Sequence, residues 1–238
     1  MILAAVVVAF LLAFVIVKFV PLKLRGLVSV LLLIAAGYLA YLIYQGIMEP
    51  IKFDKEKKVR YAKVIDNLKL IRDAQINFKE GKYRYSKNKA ELLKFIETDS
   101  LPIIETYSKD TVINVGGGIT KNTSIKKTRV TGYDQVIDKF KGTNYKEMFK
   151  VPGTDKEFTL ENGVIEKVAG LMVPVFKAKV DKASILKGMN ESLVKQELEA
   201  KESDQIKGEF VSVGSLEEVS TGGNWPPSYD ALDIESKE

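Results

Sequence analysis

The side chains of this chain with the right types and spacing for chemistry are serines beside lysines, paired acids and a glycine triplet. Ser86, Ser124 and Ser184 each lie within two residues of a lysine. That composition suits a Ser/Lys dyad, in which a desolvated lysine loses its proton and serves as the base. Sequence neighbours rarely form such a dyad, and a lysine-rich chain brings the pair together by composition alone. Asp99 with Glu105, and Glu157 with Glu161, have the makings of the two carboxylates of a glycoside hydrolase. That chemistry needs an enclosed apolar surrounding to raise one pKa, and nothing near either pair supplies it, so solvated surface acids are expected. Asp155, Glu157 and Glu161 offer oxygen ligands but lack the spaced Asp/Asn and Gly pattern of an EF-hand, so no metal is expected. Gly116, Gly117 and Gly118 are followed by Ile119, which breaks the Gly-Lys-Ser/Thr ending a phosphate loop requires. A flexible loop is expected there, and no cofactor.

Composition narrows the chemistry further. The 238 residues include no histidine and no cysteine, which removes the usual general base, the usual zinc ligands, the thiolate nucleophile and the disulfide staple. The formal charge of +5 suggests nucleic acid or anionic lipid. Past residue 50, however, 33 Lys and Arg stand against 30 Asp and Glu, an excess too small to predict a nucleic-acid partner. Lys52, Lys55, Lys57, Lys58, Arg60 and Lys63 are interrupted by Asp54 and Glu56 and read as a solvated helix face.

The elements that would position all of this begin with two apolar runs, Met1 to Val20 and Leu27 to Ile47, divided by a short basic break. Each is roughly 20 residues, enough to cross a hydrocarbon core of about 30 Å. They predict a transmembrane helical hairpin over residues 1–50, with Leu3, Phe10, Val17, Leu31, Leu39 and Tyr44 among the side chains facing a lipid bilayer. The first run lacks a basic lead and a small-residue cleavage signature, so it reads as retained. Lys18, Lys23 and Arg25 place the intervening loop in the cytoplasm by the positive-inside rule. Six basic residues after the second run vote the other way, and charge counting leaves the orientation open.

From Tyr61 the residues Tyr61, Val64, Leu68, Ile71, Gln75 and Phe78 recur at intervals of three and four, which defines one face of a stalk helix over 51–80. The face has two available partners, its own domain or a neighbouring chain. Gly81 is expected to stop the helix, and Ser86 to cap a short helix over 87–97. Residues 103–131 read as a mobile surface loop holding one short strand, 111–115. Short helical turns are expected over 134–140 and 144–149. Asn162-Gly163 predicts a hairpin between strands 157–160 and 164–168. A strand over 172–180, a helix over 185–200 and a last strand over 209–213 complete a soluble α+β domain over 81–225, with a flexible acidic tail over 226–238. The fold class expected is therefore α+β: a membrane hairpin, a long stalk helix, and a small antiparallel sheet domain with packed helices.

Two stretches carry a resemblance. Ile71, Arg72, Asp73, Ala74, Gln75 and Phe78, then Gly81, Lys82 and Tyr83, then Glu91, Leu92 and Leu93, resemble the segment after the membrane helix of type IV pilin-like proteins and type II secretion pseudopilins. Over residues 48–225 the chain more closely resembles a group of membrane-anchored envelope proteins of the Bacteroidota. The matching residues are Pro50, Ile51, Phe53, Lys55, Glu56 and Lys57, then 71–75, Val151 to Thr154, Val173 to Phe176, Val213 to Ser215 and Gly223 to Trp225. The second run and the stalk fit this pattern, whereas the first run and the absence of a prepilin peptidase site depart from pilins. The resemblance implies an inner-membrane envelope component with its domain in the periplasm, and no activity. With the usual catalytic sets missing, the expectation is a non-enzymatic structural or assembly subunit whose partners are the bilayer, other envelope membrane proteins and further copies of itself. The alternative is a periplasmic binding module for a peptide, glycan or protein. Gly117, Lys121 and Trp225 are the expected partner contacts, with Trp225 also suited to anchoring the end of the fold.

Overall fold

The structure is a computed structural model that describes residues 13–14, 18, 21, 24–114, 120–199 and 205–229. Its architecture is α+β, and the chain divides into two compact units, Met1–Asp54 and Lys55–Glu238. In chain order the elements are helix α1 (Arg25–Lys82), helix α2 (Lys89–Thr98), strands β1 (Ser100–Asn114), β2 (Thr120–Gln135), β3 (Thr159–Glu166) and β4 (Met172–Asp181), helices α3 (Lys182–Ile185) and α4 (Glu191–Leu198), and strand β5 (Phe210–Gly214).

The first apolar run, including Leu3, Phe10 and Val17, lies outside the described residues apart from short pieces. In the first unit, α1 contains an 18-residue window long and apolar enough to cross a membrane, none of it buried. Leu31, Leu39 and Tyr44 are all exposed on it. Pro50 is the expected exit from the apolar stretch, but it sits inside an uninterrupted helix. The helix therefore continues through the boundary drawn at residue 50, and the compact units divide four residues later.

Within the second unit the end of α1 buries one stripe. Tyr61, Val64, Ile65, Leu68, Ile71, Ala74, Gln75 and Phe78 are all at most 1% exposed, a spacing that places them on one side of a 3.6-residue helix. The helix runs one residue past Gly81, to Lys82, and Tyr83 ends it by taking a positive φ of 59° while its N–H still bonds the Lys79 carbonyl at 2.8 Å. Phe78 meets Phe95 of α2 edge-on, with ring centroids 5.0 Å apart. The turn between α1 and α2 is held by Gln75, whose amide donates to the Ser86 carbonyl at 2.5 Å and accepts from the Ser86 N–H at 3.1 Å. The cap of α2 is Asn88, whose side chain accepts from the N–H groups of Ala90 and Glu91 at 3.0 and 3.3 Å. Ser86 was expected in that role. Its hydroxyl lies two residues too early, where it accepts from the Asn88 N–H at 3.0 Å and donates to the Glu91 carboxylate.

The largest departure from expectation is at residues 100–135. Instead of a loop with one short strand, β1 and β2 form a continuous antiparallel ribbon from the pair Ser100 and Gln135 to the pair Asn114 and Thr120, with a register shift at Ile103/Ile104. The glycine triplet falls between the strands and outside the described residues. The ribbon is a sheet of its own, with no third strand among the described residues. Every residue from Pro102 to Asp110 is exposed, so neither face carries the apolar alternation that marks a half-buried strand. What remains as signal is the β-branched content of Ile103, Ile104, Thr106, Thr111, Thr123, Ile125, Thr128, Val130 and Thr131.

The second sheet has order β3-β4-β5, all antiparallel. The expected Asn162-Gly163 hairpin is not formed: both residues lie inside β3, opposite Phe176 and Val175. One long partner strand pairs both halves of β3, and the reversal falls instead at Val168–Gly170, where Gly170 supplies the positive φ of 79°. The Asn162 side chain donates to the Tyr85 carbonyl at 3.0 Å. Pro174 is tolerated because β5 pairs only with Lys177 to Asp181, leaving the start of β4 with a single neighbour. The helix expected over 185–200 is two pieces, α3 and α4, separated by a turn at Gly188. The end of the chain is docked as far as it is described. Trp225 lies against Gly223, where a Cβ would come within 2.4 Å of the indole, and Tyr229 is buried with its ring 6.1 Å from that of Tyr61. The tail drawn from residue 226 therefore does not include 226–229, and the rest of it lies outside the described residues.

Replacing Gln75 by leucine keeps the volume but orphans the buried Ser86 N–H and carbonyl, at roughly 1–3 kcal/mol for each group. The expected outcome is a drop of that order in unfolding free energy, read in denaturant titrations of the detergent-solubilised chain through the fluorescence of Trp225, its one tryptophan.

Candidate functional site

Each sequence-nominated serine donates to a carboxylate and not to a lysine. Ser86 bonds Glu91, Ser124 bonds Asp110, and Ser184 bonds Asp181 at 2.5 Å. Each hydroxyl is held by an acid three to fourteen residues away, and among the described residues no lysine amine is placed to take its proton. The paired acids are separated in the same way, each taken by its own cation. Asp99 pairs with Lys82 at 2.8 Å, Glu105 with Arg129 at 2.8 Å, Glu157 with Lys89 at 2.7 Å and Glu161 with Lys179 at 2.7 Å. Among the described residues no three acids gather as a metal site. The electrostatics follow. Bonds from Ser86 and then Arg84 hold the Glu91 carboxyl below its usual range, and the Lys89 bond does the same for Glu157. At Asp181 burial pushes the carboxyl up, but Lys156 and both Ser184 donors outweigh it and hold it low.

The buried charges meet elsewhere. Lys57 was expected on a solvated face, yet it is 6% exposed, and its ammonium donates to Glu197 Oε2 at 2.9 Å. Lys182, fully buried, lies 3.7 Å from Glu197 Oε1 and donates to the carbonyls of Glu197, at 3.1 Å, and Ile206. Tyr61 donates to the same Oε1 at 3.4 Å. One carboxylate from α4 thus serves two lysines and a phenol, tying α1, α3 and α4 together. Arg60 reinforces the joint by donating to the carbonyls of Ile185, the last residue of α3, and of Lys187 just after it, both at 2.9 Å. Burial pushes the Lys182 pKa down, Glu197 opposes the shift and Lys57 adds to it. Burial, followed by the Glu197 charge, raises the Tyr61 phenol far above its ordinary value. Every polar atom of this cluster is engaged with another part of the fold, so its chemistry is structural.

One surface that remains available is the β1–β2 ribbon. Ile104, Tyr107, Val130 and Tyr133 are 60%, 41%, 52% and 69% exposed. At roughly 3.4 Å per residue the ribbon is on the order of 50 Å long, and neither outer edge pairs with another strand among the described residues. Natural edges are guarded by charged side chains, proline, bulges or short length. Here Pro102 and the bulge at Ile103/Ile104 guard the base, and farther along the guards are single charges such as Lys109. Of the expected contacts, Gly117 lies outside the described residues, and Lys121 falls in β2 with its side chain outside them. Trp225 is 9% exposed, so it anchors the fold and offers no docking face. The stalk residues Tyr61, Val64, Leu68, Ile71, Gln75 and Phe78 come together as the central buried stripe. Sequence reasoning missed Lys57, Lys182, Glu197 and most of the ribbon. No spacing rule links residues 57 and 197.

No known protein family, curated protein or solved structure matches the chain.

Truncating Glu197 to alanine leaves Lys57 and Lys182 buried without their counter-charge, an expected loss of about 3–5 kcal/mol in unfolding free energy. Tyr61 tests the sign at high pH. Its folded pKa is raised above the ordinary 10.0, so the contribution is fully present below that value. It is lost as pH climbs above it, where the unfolded phenol ionises and the folded one does not. Melting curves from pH 8 to 11 are expected to fall less steeply for Tyr61→Phe than for the parent chain.

Proposed function

We propose that this chain is a membrane-anchored, non-enzymatic structural or assembly subunit of a bacterial envelope machine of the secretion or motility type, with its Lys55–Glu238 unit in the periplasm. The observation that carries the reading is the exposed β1–β2 ribbon. A lone two-stranded ribbon is marginally stable in water. An arm with apolar and aromatic side chains on it and two open edges suits strand addition to another protein. The apolar part of α1 supports a bilayer anchor. The periplasmic address is part of the proposal and follows only from the resemblance read in the sequence of residues 48–225. The engagement of the nominated serines and acids in ion pairs and caps supports a binding role over catalysis.

Replacing Pro102–Tyr133 with a two-residue Gly-Ser link joins Leu101 to Asp134, which already face each other across the ribbon. The expected result is loss of the membrane proteins that co-purify with the parent chain after mild detergent extraction. A parent chain that extracts as a monodisperse monomer, or a shortened one that keeps its partners, would overturn the reading. Protease shaving of spheroplasts is expected to remove the Lys55–Glu238 unit.

A second reading, a periplasmic binding module, draws on an open polar groove of about 370 Å³ lined by Lys63, Asp66, Asn67, Asn144, Glu147 and Lys150. Its mixed charges and amides suit a glycan or polar peptide. Capture of oligosaccharides or peptides that vanishes in both Glu147→Ala and Lys150→Ala would favour this reading.

A further inference from the structure

We infer that the outer edge of β1 pairs with the same edge of a second copy of this chain, antiparallel, with Tyr107 on the two-fold axis; the inference rests on the ribbon being the contact surface proposed above. The reason is charge. Glu105, Tyr107 and Lys109 lie at alternate positions of one strand and therefore on one face. Within its own ribbon Glu105 is opposite Arg129 and bonded to it, and the Arg129 guanidinium also stacks on Tyr107, 5.8 Å from the ring centre. Lys109 is opposite Ile125, and no ion pair or hydrogen bond engages it among the described residues. A cation opposite an isoleucine gains nothing from its cross-strand neighbour.

An antiparallel pairing of β1 with its copy, Tyr107 against Tyr107, sets Lys109 of each strand directly opposite Glu105 of the other. Directly opposed side chains on one face are close enough to form cross-strand ion pairs. The two-fold makes both pairs at once, and Thr106 falls opposite Ser108 on the other face. A shift of one residue in one direction opposes Glu105 to Asp110, and in the other sets Glu105 opposite Ser108 and loses both ion pairs, so the register is discriminated by repulsion on one side and lost attraction on the other.

The β2 edge does not offer this. Lys126, Lys127 and Arg129 crowd its middle, and its acid, Asp134, is at the base, so a two-fold pairing there sets cations against cations. Pro102 and the bulge at Ile103/Ile104 stop pairing from spreading to the base of β1, which leaves Ile104 to Asp110 as the paired stretch. A two-fold contact of this kind closes on itself, whereas β1 against a neighbour's β2 would propagate without end.

The chain has no cysteine, so single introduced cysteines report the register directly. In the proposed pairing Tyr107→Cys places two thiols at directly opposed positions, within disulfide reach. Thr106→Cys and Ser108→Cys each sit about 8 Å from their own copies, from two residues of rise and one strand spacing, beyond that reach. In native membranes Tyr107→Cys is expected to form a disulfide-linked dimer roughly tenfold faster than either control. Adding K109E to Tyr107→Cys is expected to remove that advantage by opposing two acids. Adding E105K and R129E as well is expected to restore it, since both the in-ribbon and the cross-copy pairs re-form with reversed sign.

Equal cross-linking at all three positions, or no response to K109E, would overturn the inference. If Tyr107→Cys fails while replacement of the ribbon still strips other membrane proteins from the chain, self-pairing falls and the assembly role stands. If the ribbon replacement changes nothing and Tyr107→Cys also fails, both fall.

Discussion

The buried stripe at the end of α1 is the constraint on which the Lys55–Glu238 unit depends. The unit has two small sheets, and one of them is exposed over most of its described residues, so a helix must complete the core. The stripe from Tyr61 to Phe78 supplies that core, and the other layers are fastened to it at separate heights. Phe95 meets it at Phe78, the Ser86 turn is clamped at Gln75, and Tyr229 and the Glu197 carboxylate meet it at Tyr61. Polar fasteners alternate with apolar contact along the stripe. Each buried polar group is expensive when unpaired, so the turns and the C-terminal segment are held in one arrangement and alternatives are penalised.

The ion cluster at the start of that stripe makes the same point with higher stakes. Two lysines share one carboxylate. Two backbone carbonyls on Lys182 offset part of the cost, and burial still drives its pKa down. Such a cluster contributes less to net stability than to uniqueness: α4 has one place where its glutamate finds both cations.

What was legible in the sequence follows periodicity. The α1 stripe, β4 and β5 could be read because their buried residues recur with a helix or strand period. The apolar stretch of α1 was legible from length alone. The ribbon was not, because a strand pair exposed on both faces has no reason to alternate. The Asn162-Gly163 turn misled because that dipeptide permits a tight turn without requiring one, and a long partner strand outweighed it. Ser86 and Asn88 are both competent caps, and only the exact start of α2 decides between them. The Glu197 cluster depends on residues 140 positions apart, a closeness that only the folded chain creates.

The ribbon's construction has one more consequence. Its strands bond to each other and to little else, and its ladder is exposed to water along most of its length. Its opening free energy is therefore decoupled from that of the stripe-centred unit, and it behaves as a separate cooperative segment. Amide hydrogens of Ile104 to Asn114 and Thr120 to Val130 are therefore expected to exchange faster than those of β4 and of α1 from Tyr61 to Phe78. Any partner strand that adds to the edge then acts on two quantities together, occupying a surface and raising the protection of a segment that the rest of the fold leaves alone.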